Sequence, residues 1–221
     1  MKKHILFGMM IAVFFSGCAW FERWFEHTEE KTAHELVNDG ISDYRDGNYK
    51  DALESFEKLK DWYPFSKYAI LAELKIADAH YNLKQYDEAV IAYEDFENLH
   101  PRNEAIPYIV YQIGSCYFRQ IETVDRDQNN AKKAFKIFNR LKKQFPDSVY
   151  AVKARENIKQ CLKSLAGHDL YVGLFYYKSK HYKAALDRFK SIITNYADVG
   201  IHNEALKYIV LCEATIKEQT E

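Results

Sequence analysis

The sequence predicts an all-α chain of about ten helices, paired as five antiparallel hairpins stacked in a right-handed superhelix. Three observations lead there. A motif of small residues, an aromatic and a proline recurs along the chain; apolar residues follow helical rather than alternating spacing; and Gly-Asn, Tyr-Pro and His-Pro pairs fall at the joints between helical stretches. A content of 48% hydrophobic and 29% charged residues is that of a folded chain, not a disordered one.

The chain opens on Lys2 and Lys3, an apolar run from Ile5 to Phe15, and then Ser16, Gly17 and Cys18. This is the layout of a secretory signal peptide, and the run is far short of the roughly 20 residues that cross a bilayer as a helix. The stretch FSGC resembles a bacterial lipobox, with Phe15 where leucine is usual. The resemblance implies that Cys18 is acylated and becomes the first residue after cleavage, against an ordinary signal peptide or a retained anchor. Ala19, in place of an aspartate, resembles cargo passed to the outer membrane. The expected organisation is residues 1–17 as lipoprotein signal peptide, 18–28 as lipidated tether and 29–221 as one helical domain. Trp20, Phe21, Trp24 and Phe25 in the tether would lie in the membrane interface or pack on the first hairpin.

Four stretches of the domain align: GNYKDALESFEKLKDWYP, KQYDEAVIAYEDFENLHP, NNAKKAFKIFNRLKKQFP and KHYKAALDRFKSIITNYA. In each, an alanine (Ala52, Ala89, Ala134, Ala185) is followed four residues on by an aromatic (Phe56, Tyr93, Phe138, Phe189), and twelve on by Pro64, Pro101, Pro146 or Ala197. Upstream stand Gly40, Ala77, Gly114 and Gly173. The pattern resembles the tetratricopeptide repeat (TPR), in which small residues let helix A and helix B of a hairpin approach and the aromatic fills the gap behind them. Proline ends helix B, and Gly47-Asn48 reads as a C-cap followed by an N-cap. The expected helices are 30–46, 48–63, 66–84, 86–99, 104–121, 128–145, 148–165, 169–180, 182–196 and 200–218.

Composition also excludes chemistry. Six glycines remain after residue 17, too scattered to cradle a phosphate, and HExxH, GxSxG and EF-hand patterns are absent. No enzyme, metal or cofactor is expected beyond the covalent diacylglycerol and N-acyl chain on Cys18. Cys116, Cys161 and Cys212 fall at helical positions suited to packed free thiols, with a single pair and one thiol left over as the alternative. Charge is divided: residues 19–110 hold 10 Lys+Arg against 20 Asp+Glu, whereas residues 111–221 hold 19 against 12. The basic share, dense from Lys132 to Lys163, is a solvated face or a docking surface for an acidic partner. Nucleic acid is not expected, since no nucleic-acid motif accompanies the lysines of an exported chain.

Aromatics are in excess, with 17 Tyr and 14 Phe. Most sit at hairpin-packing positions. Counted from the small residues, Tyr44, Arg45, Asp78, Tyr81, Asn82, Tyr108, Tyr111, Ser115 and Arg119 would face the groove along the helices A, a lining suited to a peptide with aromatic side chains.

Three further stretches, YPFSKYA (63–69), DRDQNNAKKAF (125–135) and YVGLFYYKSKHYKAALDRF (171–189), resemble the BamD family of TPR-containing outer-membrane assembly lipoproteins. The resemblance implies a non-enzymatic scaffold of the β-barrel assembly machinery, lipid-anchored at the periplasmic face of the outer membrane. It implies that Tyr63, Phe65, Tyr68 and Tyr81 contact unfolded outer-membrane β-barrel precursors. It further implies that Arg188 docks on a POTRA domain of BamA, with Asp125, Arg126 and Asp127 bracing the third hairpin or joining that interface. Other lipoproteins of the machine are partners in some lineages. The alternative is a periplasmic TPR lipoprotein that coordinates peptidoglycan or cell-division factors.

Overall fold

The computed structural model describes residues 31–220; the expected signal peptide (1–17), Cys18 and the expected tether (18–28) lie outside them. Among the described residues there are nine helices and no strand: α1 (Ala33–Asp46), α2 (Tyr49–Trp62), α3 (Ala69–Asn82), α4 (Tyr86–Leu99), α5 (Ile106–Arg119), α6 (Asn129–Gln144), α7 (Val149–Lys178), α8 (Tyr182–Asn195) and α9 (His202–Glu218). Each packs mainly on its neighbours in sequence, the arrangement of stacked hairpins.

The expected tenth helix does not exist as a separate element. Residues 148–165 and 169–180 are one helix of 30 residues, α7, about 45 Å long. Ala166, Gly167 and His168 contain no helix breaker, and Gly167 continues the helix without a positive φ. The first half of α7 places Ala151, Ala154 and Cys161 in the central core with α4, α5 and α6, while Ala166 in its second half joins Phe189, Ile192 and Cys212 in the C-terminal core. A third core, around Leu36, Phe56 and Leu59, holds the first hairpin against α3.

The repeat signal has a direct steric basis. A Cβ on Gly114 would come within 2.6 Å of the Phe138 ring, and one on Gly173 within 2.6 Å of the Phe189 ring, so only glycine lets these helices close at that distance. In the second hairpin Ala77 and Tyr93 take those places, both fully buried. The A-to-B joint also repeats. Gly47 is left-handed (φ 82°), and the Asn48 N–H donates to the Asp43 carbonyl at 2.8 Å, closing a Schellman motif. Lys84 (φ 62°) and Lys180 (φ 63°) occupy the same position in later hairpins, followed by Gln85 N–H to His80 O and His181 N–H to Tyr176 O. Asn48 does stand at the N-cap of α2, but its side chain makes no capping bond. Thr32 caps α1 instead, in a reciprocal box with Glu35.

Helices α2, α4 and α6 each end two residues before a proline. Between helix end and proline stands Tyr63, His100 or Phe145: the Tyr63 hydroxyl donates to the Lys31 carbonyl just ahead of α1 (3.0 Å), and His100 Nε2 meets the Glu73 carboxylate of α3 (2.6 Å). α8 ends at the same point without proline. There the Tyr196 hydroxyl donates to Asp169 (3.0 Å), and the Gly200 N–H donates to the Asp198 side chain in the turn beyond. Cys116, Cys161 and Cys212 are buried and unpaired, with burial pushing the first two thiols up to about 12.

Candidate functional site: the helix A face, the 63–70 corner and the fourth repeat

Along the helices A, side chains link one repeat to the next. Asn82 of α3 donates to the Tyr44 hydroxyl of α1 (2.8 Å), Tyr108 of α5 donates to Asp78 of α3 (2.6 Å), and Asn157 of α7 reaches Tyr111 of α5 (3.5 Å). Asp78 is the node of this ladder. It is 3% exposed, accepts from the Tyr93 (2.7 Å) and Tyr108 hydroxyls on one oxygen, and pairs with Lys75 (2.8 Å) on the other. Both oxygens of that carboxylate are engaged, as a buried charge requires. Burial, then the neighbouring Asp78 charge, pushes the Tyr93 and Tyr108 hydroxyls upward and that of Tyr44 up to about 12.

Asp78 and Ser115 are therefore not groove-facing, as the spacing alone suggested. Asp78 is consumed inside the stack, and the Ser115 hydroxyl donates to the Tyr111 carbonyl of its own helix. What does remain accessible is Arg45, Asn82 and Arg119, with partly exposed Tyr44, Tyr81, Tyr108 and Tyr111. The Arg119 Nε–H donates to the Tyr81 hydroxyl (3.3 Å), and Tyr81 stacks edge-on against Tyr86.

Tyr63, Phe65 and Tyr68 share the connection from α2 to α3. Phe65 is 101% exposed and touches nothing, whereas Tyr63 and Tyr68 lean on the first core, Tyr68 with Lys67 over its ring at 4.9 Å. Trp62 and Ile70 beside them are also exposed. Tyr81 is not part of this corner. It lies thirteen residues along α3 from Tyr68, about 20 Å away by helical rise. The four residues thus form a corner and a separate groove position.

In the fourth repeat, Arg188 is half exposed and donates through one guanidinium nitrogen to buried Asp169 (3.0 Å), which also accepts from Ser191 (3.1 Å) and Tyr196. Tyr171 and Phe175 of α7 and Leu206 and Val210 of α9 are also exposed. The loop containing Asp125, Arg126 and Asp127 is latched to α7. Buried Gln128 donates to the Thr123 and Arg126 carbonyls and accepts from the Ser164 hydroxyl (2.6 Å), and His168 Nδ1 meets the Val124 carbonyl (2.6 Å). Gly167 leaves the space that Val124 fills, its would-be Cβ standing 3.0 Å from Val124. Asp127 accepts from the Asn129 N–H (2.7 Å) and so starts α6, leaving Asp125 and Arg126 exposed at the tip. Hydrogen bonds from the Thr123 hydroxyl and its own backbone hold the Asp125 carboxyl below its usual range.

Sequence reasoning missed Asp169 and Gln128. Asp169 is a polar residue inside an apolar helical face, a signal available in LAGHDL, whereas Gln128 stands ahead of α6 in the wholly polar DRDQNN and gives no such signal. Among the described residues no group of three or more His, Cys, Asp or Glu is placed to hold a metal, and no helix is long and apolar enough to cross a membrane.

A family model described as "YfiO: Outer membrane lipoprotein" matches residues 29–219. The chain belongs to this family. Its relatives include the outer membrane protein assembly factor BamD of Caulobacter vibrioides, 31% identical over 188 residues that cover 85% of this chain and 62% of that protein. The BamD of Rickettsia prowazekii is 32% identical, covering 78% of this chain and 76% of its own length; that of Neisseria gonorrhoeae is 27% identical, covering 95% and 83%. The chain therefore spans less than two thirds of the Caulobacter relative. Among solved structures, the TPR2AB domain of yeast Sti1 in its pHSP90 complex superposes with a TM-score of 0.51 at 17% identity, over 73% of this chain and 63% of that one. That likeness is one of fold, and it places the stacked hairpins among TPR arrays.

Proposed function

We propose that this chain is a non-enzymatic scaffold in the assembly of outer-membrane β-barrel proteins. The observation that carries the reading is the family match across residues 29–219, together with relatives named as outer membrane protein assembly factors. Geometry supports it in two places. The 63–70 corner offers an unpartnered Phe65 beside partly buried Tyr63 and Tyr68, a surface for an aromatic residue of an unfolded barrel precursor. The fourth repeat offers Arg188 with a free face, and exposed Tyr171 and Phe175 on the same repeat, charged and apolar groups suited to a POTRA domain of BamA. Tyr81 and Arg119 form a second precursor contact in the groove. The tip of the 125–127 loop is a further contact, while Asp127 itself serves the fold. Acylation of Cys18 would hold the scaffold at the periplasmic face of the outer membrane.

Depletion in living cells tests the whole reading: outer-membrane barrels should fall and their unfolded precursors accumulate, and BamA should co-purify from detergent-solubilised membranes. Normal barrel levels with defective septa would overturn it in favour of a cell-wall scaffold. The corner is tested by crosslinking from position 65 to a precursor's C-terminal peptide; capture only from the opposite face of the array would sink that contact. Arg188→Glu should weaken BamA binding more than Lys143→Glu, and equal losses that vanish in salt would mean diffuse charge alone.

A further inference from the structure

Trp62 (50% exposed), Phe65 (101%) and Ile70 (46%) gather three large apolar side chains on one connection, in a half of the chain that is otherwise strongly acidic. Exposed apolar groups this close together in the chain mark a contact surface. The described chain begins beside it. The Tyr63 hydroxyl holds the Lys31 carbonyl at 3.0 Å, and the His34 and Tyr68 rings lie 6.1 Å apart, so residues preceding Lys31 leave from this corner.

Those residues read AWFERWFEHTEE from Ala19 to Glu30, with Trp20 and Phe21 four residues ahead of Trp24 and Phe25. From Lys31 back to Trp24 is seven residues, a reach of up to about 24 Å, ample to return to the corner. Charge also matches. The segment carries Glu22, Glu26, Glu29 and Glu30 against Arg23, whereas the corner carries exposed Lys60 and Lys67 against Asp61, the two lysines having no ion-pair partner among the described residues.

We propose that residues 20–25 dock on the Trp62, Phe65 and Ile70 surface, aromatic on aromatic, with the segment's glutamates toward Lys60 and Lys67. Docking covers apolar surface on both sides and places the chain just after Cys18 against the first hairpin instead of in the membrane interface. It does not depend on any client. If the corner also receives precursors, segment and precursor exclude one another there.

The test uses the full-length acylated protein in detergent micelles, with a photo-crosslinking phenylalanine analogue at position 65, where full exposure makes misfolding no concern. Crosslinks should map within the same molecule to residues 19–27, and an analogue at Val210, also exposed but at the far end, should give none. Replacing Trp20, Phe21, Trp24 and Phe25 with serine should lower the position-65 crosslink at least about tenfold. Lys67→Glu should lower it by roughly a factor of two. Capture of detergent or added lipid alone, capture between isotopically distinct copies, equal capture from position 210, or indifference to the serine changes would each overturn the docking. Precursor binding at position 65 is read separately with an added peptide, so failure of one leaves the other intact.

Discussion

The second and fourth repeats each bury one carboxylate and treat it differently. Asp78 sits at the junction of two repeats and is closed off by two tyrosine hydroxyls and Lys75. Asp169 stays within its own repeat, held by Ser191, Tyr196 and an arginine whose side chain is 46% exposed. The first is a rivet between helices A. The second is a mount that holds a cation at the surface, and only the second leaves charge for another molecule to use.

The largest effect separating the two should come from removing each carboxylate. Asp78→Ala is expected to cost about 3 to 5 kcal/mol in urea unfolding, since Lys75 and two buried hydroxyls lose their acceptor together. Asp169→Ala should cost less, about 1 to 3 kcal/mol, because water can solvate the half-exposed Arg188. Equal costs would break the comparison. Next, Gly173→Val should cost about 1 to 3 kcal/mol by driving a side chain into Phe189, and pairing it with Phe189→Ala should recover part of the loss.

Alkaline titration offers a smaller, signed test. Tyr93 and Tyr108 have folded pKa values above the unfolded value near 10.0, so the native state keeps these protons longer than the unfolded chain does. The stability they give is complete below pH 10 and declines as pH rises beyond it. Tyr93→Phe should therefore flatten the decline above pH 10 by up to about 1.4 kcal/mol per pH unit. Tyr196, pushed to about 12, adds a slope of the same size only between about pH 10 and 12, so Tyr196→Phe should flatten the decline within that window and leave it unchanged above it. The smallest effect lies at the joints. Lys180→Gly relieves a left-handed non-glycine residue and should raise stability by up to about 1 kcal/mol, whereas Gly47→Lys should lower it.

The sequence made the hairpins legible because their cause is local. A glycine or alanine facing an aromatic ring, and a proline two residues past a helix end, recur at fixed intervals and need no knowledge of the rest of the chain. The partners of the carboxylate nodes were not legible, since Asp78 meets Tyr93 and Tyr108 across separations of 15 and 30 residues, and Arg188 meets Asp169 across 19. Tyr108 was assigned to the groove by its position on helix A, yet its hydroxyl is turned into the stack. The joint expected near residues 166–168 failed for another reason. A glycine beside a histidine looks like a turn, but Gly167 is there so that Val124 can press against an uninterrupted helix. The Tyr63, Phe65 and Tyr68 corner was readable as one place, and Tyr81 was not separable from it without knowing which end of α3 faces which.

An array of independent hairpins melts like a row of beads, each held only by its neighbours. The continuous α7 removes that independence at the centre, because one helix supplies Ala151, Ala154 and Cys161 to the middle core and Ala166 to the C-terminal one. Fraying that begins in the last repeat must unwind residues that the third repeat also owns. Loss of structure at one end is thereby charged to both cores, and the two halves are bound into a single cooperative unit.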